Sequence, residues 1–159
     1  MMASSVPYVK AALKTRIEAA LTAAGQSALV SRGHPYPKAW AGHTVVIGKA
    51  TIGDAQRVAA GTQENEHYDV ELLICAAGSA QDAYSGFEDA AYALRTIIVS
   101  DLLAWAPLPS GSWGHVLTIE PVGGSDQEGI EEDRKGSPKS RDATVAVNVR
   151  VAARLVSYG

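Results

Sequence analysis

Arg141-Asp-Ala-Thr-Val-Ala-Val-Asn-Val-Arg-Val-Ala-Ala-Arg-Leu-Val156 is the stretch that decides the fold. Ala143, Val145, Val147, Val149, Val151, Ala153 and Leu155 occupy every second position, with Asp142, Thr144, Ala146, Asn148, Arg150, Ala152 and Arg154 between them. Side chains alternate across a strand with period two, so one face is continuously apolar and the other polar or small. A helix would scatter the valines around its circumference, and a β-branched side chain fits a pleated surface better than a helical one. The segment therefore reads as a strand with one buried face. It is longer than the usual five or six residues, which predicts that it overhangs the domain or is shared with a neighbour.

A second alternation precedes it. Tyr68, Val70, Leu72 and Ile74 face one way, and His67, Asp69, Glu71 and Leu73 the other. Thr44–Ile47 and Val116–Val122 read as further strands, Ser27–Arg32 as a short one, and Gly48 and Gly53 as turns. His34-Pro-Tyr-Pro37 is a proline-bracketed extended turn, because a residue ahead of proline is pushed out of the helical region. Val6, Val9, Leu13, Ile17, Leu21 and Ala24 recur at three- and four-residue intervals and predict an amphipathic helix. Ser4 or Ser5 would cap it near Pro7, and Gly25 would end it in a left-handed conformation. Tyr84, Phe87, Ala91, Leu94, Ile98 and Leu102 form the stripe of a second helix. Ser79-Ala-Gln-Asp82 has the spacing of a capping box ahead of it, and Asp82, Glu88 and Asp89 suit its positive end. Pro107 and Pro109 would stop it.

Gly123 to Ser140 carries a single aliphatic residue, Ile130. So polar a segment is expected to be a mobile loop, placed as a long hairpin extension between two strands. The expected architecture is one α+β domain over residues 1–159: two helices on one face of a mixed, mostly antiparallel sheet. No internal repeat is apparent.

At 159 residues, with 47% hydrophobic residues and a net charge of -3, the chain has no concentrated basic footprint of a nucleic-acid-binding domain. The longest apolar run, Leu94 to Pro109, is broken by Arg95, Thr96, Ser100 and Asp101 and is too short and polar to span a bilayer. The first ten residues lack the charged head and apolar stretch of a secretory peptide. Charge is nevertheless uneven. Lys10, Lys14, Arg16, Arg32 and Lys38 dominate the first forty residues, whereas Asp54 to Asp101 is acidic. The two regions read either as solvated faces or as complementary patches between identical subunits.

The sequence supplies no set of residues spaced for catalysis. His34, His43, His67 and His115 never fall on one helix face, none belongs to an HExxH arrangement, and no metal or cofactor site is expected. No Gly-x-Ser-x-Gly elbow occurs, and Ser79 is better read as a cap. Cys75 has no local cation to lower its pKa and reads as a neutral packing residue. Gly111-Ser-Trp-Gly114 and Pro121-Val-Gly-Gly124 lack the Gly-Lys-Ser/Thr ending of a phosphate loop. Glu131-Glu-Asp133 has no calcium-loop spacing. A non-enzymatic protein is the expectation.

The order of elements is familiar as a whole. Val9-Lys-Ala-Ala-Leu-Lys-Thr-Arg-Ile-Glu-Ala-Ala-Leu21 leads to Gly33-His-Pro-Tyr-Pro37, then Val45-Val-Ile-Gly48 and Ile52-Gly-Asp-Ala55. Glu64-Asn-Glu-His-Tyr-Asp-Val-Glu-Leu72 follows, then an acidic helix and the alternating last strand. This order resembles the tail terminator (tail completion) proteins of long-tailed bacteriophages and related gene-transfer-agent neck proteins, over almost the full length. The Gly123–Ser140 insertion is longer than the turn such a protein would be expected to have there. The resemblance implies a structural virion protein that forms a homohexameric ring on the tail tube, ends its polymerisation and offers a surface to the head connector. Its partners would be itself, the tail-tube protein and the head–tail connector or stopper, with assembly in the host cytoplasm. Neither a membrane nor a specific nucleic-acid sequence is an expected partner. Residues nominated for the subunit or tail-tube interface are Lys10, Lys14, Arg16, Glu64, Glu66, Asp69, Glu71, Asp126, Glu128, Glu131, Glu132, Asp133, Arg134, Lys135, Arg150 and Arg154. Two alternatives stay open: a head-completion or connector protein of the same neck, and a small-molecule-binding or enzymatic α+β domain using Trp40, His43 and Trp113.

Overall fold

The computed structural model describes residues 4–33, 42–53, 56–58, 63–79, 81–105, 115–132 and 138–156. Its elements run α1 (Val6–Ala23), β1 (Leu29–Arg32), β2 (Gly42–Ile52), β3 (Gln56–Val58), β4 (Gln63–Ser79), α2 (Tyr84–Leu103), β5 (His115–Glu132) and β6 (Pro138–Val156). The strands form one sheet in the order β1-β2-β4-β6-β5, with β3 paired to the first residues of β4. Among the described residues the β1–β2 pair is parallel, and β2–β4, β3–β4, β4–β6 and β5–β6 are antiparallel.

The decisive stretch behaves as its alternation requires. Ala143, Val145, Val147, Val149, Val151 and Ala153 are all buried, and β6 pairs residue for residue with the whole of β4, from Gln63↔Val156 to Ser79↔Ser140. Tyr68, Val70, Leu72, Ile74 and Ala76 of β4 bury the same face, joined by Val45 and Ile47 of β2. Both helices pack on that face. Val9, Leu13, Ile17 and Leu21 of α1 and Ala91, Leu94, Ile98 and Leu102 of α2 complete one continuous core. Burying a side chain of this size contributes about 1.5–3 kcal/mol relative to leaving it in water, so the two stripes are ample to hold the helices down.

The helix ends differ from expectation at the two N-termini. Gly25 closes α1 as predicted: at φ 71° it lets the Gln26 N–H reach the Leu21 carbonyl at 2.9 Å and its own N–H the Thr22 carbonyl at 3.0 Å. At the start of α1, however, the Ser5 hydroxyl turns inward to the sheet and caps nothing on its own helix, while the Ser4 hydroxyl accepts the Val6 N–H at 3.2 Å. Ser79 does not cap α2. Its hydroxyl accepts from the Gln81 N–H at 3.2 Å and its carbonyl from the Asp82 N–H at 3.1 Å, which closes a turn ahead of the helix. α2 begins only at Tyr84 with no acidic residue in its first turn, so Glu88 and Asp89 lie beyond the reach of its positive end. At its other end α2 stops at Leu103, and Pro107 and Pro109 lie outside the described residues.

Gly48 does not end its strand. β2 continues to Ile52 through a register shift between Ile47 and Ala50, and Gly48 lies where a Cβ would stand 3.3 Å from the Glu71 carbonyl oxygen. The larger correction concerns Gly123–Ser140. Gly123 to Glu132 continue β5, and Pro138 to Ser140 begin β6, so the segment is a paired hairpin arm. A polar ladder needs no apolar burial of its own when a neighbouring strand satisfies its backbone groups, and β6 does so from Gly124↔Val147 to Glu132↔Pro138. Gly123, at φ 55°, sits in the register shift between Val122 and Gly124. A Cβ at Gly124 would collide with the Ala146 carbonyl oxygen, so only glycine allows the arm to approach β6 there.

Candidate assembly surface

The charged side chains divide into those the subunit uses for itself and those it leaves at its rim. Glu66 belongs to the first kind. It is only 5% exposed, inside the start of α1, where its Oε2 accepts the Ser5 backbone N–H at 3.0 Å and its Oε1 accepts the Ser4 hydroxyl. The Ser5 hydroxyl and the Tyr68 phenol share a hydrogen bond at 2.8 Å beside it. A carboxylate from the sheet thus serves as the N-terminal anion that the helix dipole favours, tying residues more than sixty positions apart. Burial pushes the Tyr68 phenol well above the usual range, the Ser5 hydrogen bond opposes that shift, and the Glu66 charge adds to it. Glu66 was nominated for an interface; the structure instead occupies it inside the chain, so that nomination is withdrawn. The alternation placed Tyr68 inward, and period two puts Glu66 on the same face, a signal that could have located it.

The basic N-terminal and acidic central regions meet in part within one subunit. The Arg16 Nε donates to Asp101 Oδ2 at 2.8 Å, and the Arg16 guanidinium lies 5.0 Å from the centroid of the Trp105 ring, pinning α1 to the end of α2. Lys14 pairs with Glu18 one helical turn on, at 3.0 Å. On the outer face of the sheet Arg150 Nε meets Asp69 Oδ1 at 3.2 Å, and Arg154 Nε donates to Asn65 Oδ1 at 3.4 Å. These pairs are solvent-screened and modest in energy.

Along the hairpin arm, Tyr92 of α2 donates its phenol to Asp126 Oδ2, and that acceptor raises the phenol's pKa. Arg141 Nε lies 3.3 Å from Glu128 Oε1 without the alignment of a hydrogen bond, an electrostatic contact, while its Nη1 donates to the Asp82 carbonyl at 3.2 Å. Ile130 is 49% exposed near the end of β5, followed by Glu131 and Glu132. Asp133, Arg134 and Lys135 lie outside the described residues, as do the side chains of Glu64, Glu131 and Glu132.

At the opposite edge of the sheet is an open notch of about 760 Å³ where β1 ends and β2 bulges. It is bordered by Lys10 of α1, Arg32 of β1, Lys49 of β2 and Glu71 of β4, over an apolar floor that includes Leu73. Among the described residues none of these four charged side chains forms an ion pair, unlike Lys14, Arg16, Arg141 and Arg150. Sequence reading nominated Lys10 and Glu71 but not Arg32 or Lys49. The parallel pairing of β1 with β2, which brings them together, has no local signature.

Nothing in the described residues gathers for catalysis. No group of three or more His, Cys, Asp or Glu side chains converges as a metal site would. Cys75 stands opposite Thr144 in the ladder, and burial raises its pKa, which favours the neutral thiol. Of the alternative pocket, Trp40 and Trp113 lie outside the described residues; the His43 Nδ1 is buried without a hydrogen-bond partner among them. No helix of the described residues is long and apolar enough to cross a membrane.

No family model matches the chain, and no curated protein matches it. Among solved structures the fold is similar to that of a chain in the virion of a native gene transfer agent (GTA) particle, with a TM-score of 0.53 and 15% sequence identity. The likeness covers 91% of this chain and 94% of that one.

Proposed function

We propose that this chain is a structural virion protein: a tail terminator that forms a ring, by expectation a hexamer, on the end of a phage-like tail tube. There it halts tube growth and presents a joining surface to the head connector. The observation that carries the reading is the end-to-end likeness of fold to a chain of a gene transfer agent virion, with almost nothing left over on either chain. The order of elements points the same way, as does a surface with net opposite charge on the two edges of one sheet while no reactive cluster forms among the described residues. A part that works by fitting against copies of itself and other building blocks needs shaped, charged edges and no reaction centre.

The test is length control. The tail-tube protein is polymerised with and without the purified chain, and tube lengths are measured by electron microscopy with gold-labelled antibody against the chain. Tubes shortened to a narrow distribution with label at one end are the expected result. Unchanged lengths with no terminal label would sink the role. Label on isolated heads and its absence from headless tails would move the chain to head completion.

A further inference from the structure

We propose that neighbouring copies of this chain join head to tail by seating the acidic hairpin arm of one subunit in the basic notch of the next. The inference rests on the ring-forming reading above and names the surfaces that would build the ring.

Three observations carry it. The first is position: the arm extends from β5 and β6 at one edge of the sheet, and the notch lies beside β1 and β2 at the other. Four strand spacings separate the two edges, roughly 19 Å at about 4.8 Å per strand. Complementary patches on opposite edges of one rigid sheet cannot satisfy each other within a subunit. They generate heterologous contacts, which close into a ring when the rotation allows.

The second is charge. Asp126, Glu128, Glu131, Glu132 and Asp142 on the arm outnumber Lys139 and Arg141. The notch presents Lys10, Arg32 and Lys49 against Glu71, with no ion pair to any of them among the described residues. Opposite net charges at the two ends of one molecule steer association and fix its register.

The third is the apolar contact that has to accompany the charges if the joint is to last. Ile130 stands 49% exposed beside Glu131 and Glu132, and the notch has Leu73 in its floor. A partly exposed aliphatic residue on an acidic strand end is a suitable anchor for such a floor.

A charge-swap experiment on the full chain tests this. One variant carries Arg32→Glu and Lys49→Glu, and the other Glu131→Lys and Glu132→Lys. All four residues belong to the notch or the arm, and circular-dichroism melting checks that each variant is folded. Self-association is followed by sedimentation velocity and native mass spectrometry, free in solution and on tail-tube ends. Each variant alone is expected to associate at least about tenfold more weakly than the parent. An equimolar mixture is expected to recover association, because a basic arm then meets an acidic notch and an acidic arm a basic one. Variants that associate like the parent, or a mixture that stays dissociated, would overturn the proposal. So would a parent chain that never associates with itself, even on tubes. Loss of duplex-DNA binding on notch reversal, with the oligomer unmoved, would reassign the notch to nucleic acid. Tube-length control that survives both reversals with association intact would refute this joint and leave the terminator role standing; recovery in the mixture without length control would do the reverse.

Discussion

Single residues decide how the first helix is held. Glu66 stabilises the start of α1 by accepting from the Ser4 hydroxyl and from the Ser5 backbone N–H, which is otherwise cut off from water. Removing it leaves the buried Ser5 N–H unsatisfied, so Glu66→Ala is expected to cost about 2 kcal/mol, and Glu66→Gln, which keeps one acceptor, less. Urea unfolding reads both; equal stability of Glu66→Ala and the parent would show that the carboxylate is not the cap. Tyr68 beside it makes stability sensitive to alkali. Its folded pKa is raised above the unfolded value, so the unfolded chain gives up the phenolic proton first. Stability is fully present below pH ~10 and falls as pH rises beyond it. Thermal midpoints taken from neutral pH upward, alongside ultraviolet phenolate absorbance, should show this decline, and Tyr68→Phe should flatten it. An unaltered slope in Tyr68→Phe would assign the decline to other groups.

At the scale of elements, the arm and the strand that carries it differ in what they bury. The core face of β6 is sealed, with Val147 and Val149 both 0% exposed, whereas Gly123 to Glu128 on the partner strand are exposed. Val147→Asp or Val149→Asp puts an unpaired charge in the centre of the sheet, and loss of soluble folded protein is expected. The arm can be shortened instead. Replacing Gly129–Asp142 with an Asn-Gly turn joins the paired residues Glu128 and Ala143 and leaves every core residue in place. The cut also takes Ser140, Arg141 and Asp142 from their pairing with Ser79, Gly78 and Ala77, so the variant should stay folded at a cost of about 2–3 kcal/mol and lose association with its neighbours. Unfolding by both changes alike would mean that the distal ladder is part of the core. Gly78 is an element-scale constraint of another kind. The Phe87 ring of α2 lies over it where a Cβ would stand 2.7 Å away, so Gly78→Ala should displace the helix, read as a lowered melting temperature.

For the molecule as a whole, one core joins both helices to the sheet. The chain is therefore expected to unfold in a single cooperative step, with far-ultraviolet circular dichroism and tryptophan fluorescence coincident. A hairpin arm melting ahead of the rest would separate the two transitions.

The alternation in Arg141–Val156 and in Tyr68–Ile74, together with the two helical stripes, was enough to determine an α+β domain with both helices on one sheet face. Period is a local property, and burial of the apolar face follows from it wherever a partner layer exists. The place of the arm was legible too, but its state was not: polarity predicts a poor core, and only a strand alongside reveals that the backbone is paired. Glu66 read as surface for the same reason, since a buried carboxylate is stable only against a helix start that arrives from more than sixty residues away. The notch needed the fold entirely. Lys10, Arg32, Lys49 and Glu71 lie on four different elements, and the order of the sheet, set by pairings far apart in the chain, is what gathers them at one edge and sends the arm to the other.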